Sequence, residues 1–207
     1  PLNTYHCVYC SCHGDFNLNQ PQKSALILAN AHLSPAPTEV NPEQHLVLDN
    51  GEVIDLDKCL TLDAIFALKL EQCRLVTLSA CETGLIDFKN SSDEYIGLPS
   101  GFLVAGSPAV VSSLWTVNQV STALLLIKFY HNLLNKMSLG VALNQAQLWL
   151  RDATVQDFFN WAKQLTEELK MENKFKEEVE AYFDLFDNEE TPFDSPFHWA
   201  AYCAIGQ

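Results

Sequence analysis

The sequence predicts an α/β domain with a mostly parallel central sheet, and three observations carry that prediction. Short apolar runs suited to buried strands recur at 5–12, 75–80 and 109–115, and segments of helical spacing lie between and after them. The run Ala109 to Trp115 is near-continuous in apolar or small residues, as expected of a strand covered on both faces in a parallel sheet. The 207 residues, 48% of them apolar, suffice for one domain with a sizeable core.

The elements follow in order. Residues 5–12 read as the first strand and 24–29 as another. Residues 30–43 hold three prolines and read as a surface loop. Gln44 to Leu48 and Val53 to Leu56 form a hairpin around Asp49-Asn50-Gly51, a strong turn signal. Thr61 to Leu70 carries Leu62, Ile65, Phe66 and Leu70 at helical spacing. The strand 75–80 leads to Cys81, and 86–95 is polar and loop-like. Leu98 to Ala105 reads as a helix closed by Gly106-Ser107-Pro108, before the strand 109–115. Two amphipathic helices are expected over 121–134 and 139–151, with His131 flanking the apolar stripe of the first. Residues 154–195 are rich in Glu and Asp, yet Phe158, Trp161, Leu165 and Leu169, then Phe175, Val179, Tyr182 and Phe186, keep helical period. They read as an acidic helical insertion, either a solvated decoration or a docking or gating element. Residues 197–205 read as a last strand.

Bulk properties narrow the function. A net charge of −14 argues against nucleic acid, whose binders need Lys and Arg to displace phosphate counterions. The seven cysteines are an odd number in a chain too large to need disulfide staples, which points to a reducing, cytoplasmic setting. No apolar run approaches a membrane span. The chain starts at Pro1, four residues before a strand with core character, and is expected to be excised from a longer protein.

The chemistry centres on Leu78-Ser79-Ala80-Cys81-Glu82-Thr83-Gly84, where an apolar strand stops and small residues follow with a thiol among them. The first strand ends likewise, on His13-Gly14. If the two strands are parallel neighbours, Cys81 and His13 emerge at one sheet edge, where open α/β folds place their sites. An imidazole there lowers the thiol pKa and later protonates a leaving amine. The amides of Gly14 and Cys81 are the natural oxyanion donors. The bland alternative is a core cysteine and a structural histidine. Metal binding by Cys7, Cys10, Cys12 and His13 is disfavoured, because strand alternation sends Cys7 and Cys10 to opposite faces. A hydrolase elbow of the form Gly-x-Cys-x-Gly is absent around Cys81.

Five stretches in order resemble the CHAT domain, a family in the caspase-like cysteine peptidase clan that includes caspases and separase. They are Ser11-Cys12-His13-Gly14, residues 78–84, Gly97 to Gly106, Ser113-Leu114-Trp115-Thr116-Val117, and Trp199-Ala200-Ala201-Tyr202 with Gly206. The resemblance implies a caspase-like three-layer sandwich with helices on both faces, spanning 1–207 with its first strands missing and 154–195 inserted. It implies a cysteine endopeptidase with His13 as base and Cys81 as nucleophile. Ser112, Ser113 and Trp115 would pair with an extended substrate, and Asp93 and Glu94 would face a basic side chain next to the scissile bond. No metal or organic cofactor is called for. The family is often fused to tetratricopeptide repeats, and one member belongs to the RNA-guided protease complex craspase. A regulatory repeat region, an RNA-guided effector complex, and a role in bacterial signalling or defence through regulated proteolysis are therefore expectations. Autocleavage after Lys89 is a further one. The alternative is a catalytically silent scaffold or signalling module of the same fold.

Overall fold

The apolar runs do form the sheet, but the chain bends between faces sooner than their pattern suggests. The computed structural model describes residues 2–15, 17, 20–48, 50–79 and 97–206. Its strands are β1 (Cys7–Ser11), β2 (His13–Asp15), β3 (Ala25–Ile27), β4 (His45–Val47), β5 (Val53–Asp55), β6 (Cys59–Thr61), β7 (Leu75–Ser79), β8 (Ala109–Ser113) and β9 (Tyr202–Gly206). The α-helices are α1 (Leu62–Phe66), α2 (Leu98–Val104), α3 (Gln119–Leu134), α4 (Leu139–Asp152), α5 (Val155–Glu168), α6 (Lys174–Tyr182) and α7 (Pro196–Trp199). Two units emerge, one comprising Pro1–Val117 with Ala201–Gln207 and the other Asn118–Ala200.

The first unit is mixed α/β with a mostly parallel central sheet of order β1-β7-β8-β9. β1 and β8 run parallel to β7, and β9 returns antiparallel to β8. Val76, Leu78 and Val110 are fully buried, as the near-continuous apolar runs require. They share a core with Val8, Leu26, Leu62, Ile65, Leu98 and Phe102. Burying a ring such as Phe102 contributes roughly 1.5–3 kcal/mol relative to leaving it exposed. α2 approaches α1 closely through Gly101, where a Cβ would lie 2.5 Å from Leu62 Cδ1. A second sheet, β2-β3-β6, and the expected β4–β5 hairpin complete this unit.

The second unit is helical. Asn118 opens α3 by accepting hydrogen bonds from the Val120 and Ser121 amides at 3.0 and 3.1 Å. Thr154 and Asp157 cap α5 reciprocally. Between α3 and α4 the buried Asn132 side chain donates to the Ala142 carbonyl at 3.0 Å, so its polar group is satisfied. An aromatic cluster gathers α5, α6 and the following turns. Phe158 and Phe183 stack 5.1 Å apart, with Phe193 edge-on to both. The Lys128 ammonium lies over the Trp149 and Trp161 rings at 5.1 and 5.6 Å, and burial lowers its pKa.

Three expectations need correction. The strand expected over 5–12 is β1, a bend at Cys12, and then β2 in a different sheet. The helix expected over 61–70 stops at Phe66, because Leu70 donates its amide to Ala105 instead, at 2.7 Å. Residues 197–199 are helical, since Ser195 caps α7 and Pro196 starts it; the last strand begins at Tyr202.

Candidate functional site

Register governs where candidate groups leave the sheet. β1 and β7 pair without a bulge from Cys7↔Leu75 to Ser11↔Ser79, partners always 68 positions apart. Val8 is buried and Tyr9 exposed, so the pleat of β1 presents Val8 and Cys10 to the core and Cys7, Tyr9 and Ser11 outward. The pairing Ser11↔Ser79 stands at the carboxyl edge of both strands.

His13 follows Ser11 by two residues and starts β2. It is exposed, opposite Ile27, while Gly14 lies opposite Leu26. Leu26 is fully buried in the main core, whereas Ile27 joins Ala31 and Ile54 in a smaller one. β3 is therefore anchored on both faces, and it fixes the strand that carries His13.

The end of β7 is held from the far side of β8. The Ser79 hydroxyl lies 3.2 Å from the hydroxyl of Tyr202, which is 3% exposed and pairs in register with Ser113. Tyr202 is a positioning group that the strand pattern did not single out. Its only signal is the Trp-Ala-Ala-Tyr stretch.

Cys81, Asp93 and Glu94 lie outside the described residues, as does Lys89. Ser112 and Ser113 are both fully buried. Ser112 lies between Leu78 on one flank and Cys203 on the other, its hydroxyl 3.8 Å from the Cys203 sulfur. The backbone bonding runs on to Leu114, whose amide donates to Ala201 at 2.7 Å. At Ser112 the expected pairing with a substrate strand therefore meets no free edge. Trp115 is half-buried just beyond the sealed stretch.

The described thiols differ from a nucleophile in their electrostatics. Burial, with Cys12 close by, pushes the Cys10 thiol up to about 11. Cys59 also reaches about 11, by burial first and then the nearby Asp55 and Asp15 charges. Burial likewise raises Cys7, Cys12 and Cys203. All five stay protonated at neutral pH. Cys7 is exposed, while Cys59 and Cys203 are half-buried and Cys73 is buried. His198 is 3.3 Å from the Ser121 hydroxyl and edge-on to Phe193 and Phe197, a structural setting.

Among the described residues no three His, Cys, Asp or Glu side chains converge to hold a metal ion. Nor is any described helix long and apolar enough to cross a membrane. A cavity of about 350 Å³, lined by Asn17, Lys23, Val40, His45 and neighbours, includes none of the expected site residues.

A family model described as CHAT domain matches residues 1–207, the whole chain. No curated protein matches it.

Proposed function

We propose, from the premise that the chain belongs to the CHAT-domain family, that it is a cysteine endopeptidase acting through His13 and Cys81. The family is caspase-like and peptidase-related, and on this reading the sheet and its helices form the caspase-like three-layer sandwich, with 154–195 an insertion in it. The observation that carries the reading is the β1–β7 register. Its constant separation of 68 positions is also the separation of His13 from Cys81 in the sequence. The raised pKa values of Cys7, Cys10, Cys12, Cys59 and Cys203 support it too, since burial makes these five poor nucleophiles.

The reaction balances with these residues alone. His13 takes the Cys81 thiol proton, and the sulfur attacks the peptide carbonyl carbon. The oxyanion receives hydrogen bonds from the Gly14 and Cys81 amides. Collapse breaks the C–N bond, and the amine leaves with the proton from the imidazolium. Water then gives a proton to His13, attacks the thioester and releases the acid, restoring the thiol. Trp115 and the residues after it border the substrate, and Asp93 and Glu94 receive a basic side chain beside the scissile bond. The working context is cytoplasmic regulated proteolysis, with a tetratricopeptide-repeat region or an RNA-guided effector complex as the activating partner.

The test compares wild type, Cys81→Ala and His13→Ala against a peptide library, with the chain in its parent protein and the partner present. Each substitution is expected to lower kcat/KM at least about 100-fold. Cleavage unchanged by Cys81→Ala sinks the mechanism. Alkylation rates give an independent reading: Cys81 should react faster than Cys10 and Cys59, and His13→Ala should slow it. No cleavage by any form, with Cys81 no faster than those two, favours the silent scaffold.

A further inference from the structure

The helical unit carries a surface that the proposed peptidase chemistry does not use. From residue 177 to residue 207 the chain has no lysine or arginine, and residues 177–194 hold eight carboxylates. Two of these, Glu178 and Glu180, are joined to Lys174 and Lys176 one helical turn back, at 3.7 and 3.5 Å. Asp187 turns its carboxylate to the Glu189 amide at 3.0 Å. Asp184, Glu189 and Glu190 are exposed, and no ion pair among the described residues engages them.

Apolar surface lies in the middle of this charge. Leu185 is 94% exposed, with Tyr182 40% and Phe186 36% exposed beside it. The Tyr182 and Phe186 rings stack 6.1 Å apart, and both meet Phe183, which is 1% exposed and packed on Phe158 and Phe193. The buried ring fixes the turn, so the rim needs little ordering when something binds it. Leu185 contributes almost nothing to the core and leaves its side chain in water, where a polar residue would serve the fold as well.

We propose that this face docks a basic amphipathic protein segment, with a large apolar side chain seated on Leu185 and Phe186 and Lys or Arg groups meeting Asp184, Glu189 and Glu190. Charge complementarity selects this occupant. Phosphate backbones and anionic lipid surfaces are repelled by the same carboxylates. A second copy of a chain with net charge −14 is repelled as a whole. A purely polar polycation leaves the apolar centre unmatched. A central apolar anchor ringed by complementary charge has the composition of a binding hot spot with its rim.

The test titrates the full chain, by fluorescence anisotropy, with a synthetic Lys/Leu amphipathic helical peptide and with a Lys/Ser peptide of equal length and charge. The Lys/Leu peptide is expected to bind saturably, at least about tenfold more tightly than the Lys/Ser peptide, with Leu185→Ser and Asp184→Lys each weakening it by a similar factor. Leu185→Ser should leave the helical circular dichroism unchanged, because the side chain is almost fully exposed. Equal binding of the two peptides, indifference to both substitutions, or no saturable binding overturns the proposal. So does a wild-type dimer in sedimentation that Leu185→Ser dissociates, which would give the face to a second copy.

Discussion

The two units solve the same packing problem in opposite ways. In the sheet unit, the fully buried polar side chains among the described residues are small hydroxyls, Ser24, Thr77, Ser112 and Ser113, set among aliphatic residues. The strands of its central sheet find partners far away in sequence. In the helical unit the caps are local, and the core around Phe158 and Phe183 is aromatic. Non-local pairing fixes strand ends to within a residue, because a slip by one reverses every side chain. Amphipathic helices need only keep one face apolar and can load the other with charge. Placing reactive groups suits the first, and recognition by surface charge suits the second.

Substitutions in each core sharpen this contrast. Phe183→Ala should have the largest effect, about 3–5 kcal/mol, since it removes a ring that touches Phe158, Phe186 and Phe193. Hydrogen exchange in α5 and α6 would report it, and an unchanged rate would show that the aromatic cluster does not hold these helices. Gly206→Ala is the corresponding break in the sheet. Its φ of +94° costs an L-residue about 1–2 kcal/mol, and a Cβ there would lie 2.2 Å from the Pro108 carbonyl oxygen. Faster exchange along β8 and β9 is expected; a wild-type pattern would mean that the β9 end yields without loss.

The smallest effect is a pH dependence. The Cys10 thiol titrates near 11 when folded against 9.0 as the ordinary value. The folded state holds this proton more tightly, so the contribution is complete below pH 9 and is lost as pH rises from about 9 to about 11. The melting temperature should fall over that window, and Cys10→Ala should shrink the fall by a few degrees. An equal fall in the variant would assign it to other groups.

Much of the architecture was legible in the residues themselves. β7, β8, α2, α3 and α4 follow directly from long apolar runs or sustained helical period, and the β4–β5 hairpin from Asn50-Gly51. The misses are short elements decided by partners elsewhere. β6 has three residues, and a strand that short carries no period; pairing with β3 defines it. The bend at Cys12 is invisible to alternation because Cys10 and Cys12 both still pack on the main core. α7 was readable from Ser195-Pro196 but was overshadowed by the apolar residues around it. For the candidate site, the sequence carried the first strand one residue too far, to 12 rather than Ser11, and took its parallel pairing with β7 as a condition that the register meets. The burial of Ser112 and Ser113 was not legible, since two serines read as polar until the strands on either side of them are known.

The unbroken β1–β7 ladder makes the sheet a ruler with two matched arms. Loops between the arms, such as 30–43, can lengthen or shorten across evolution without disturbing the ends. Inserting or deleting one residue inside Cys7–Ser11 or Leu75–Ser79 shifts one arm by about 3.3 Å against the other. Sequences descended from a common ancestor should therefore concentrate their gaps outside these two five-residue windows, however far the side chains within them drift.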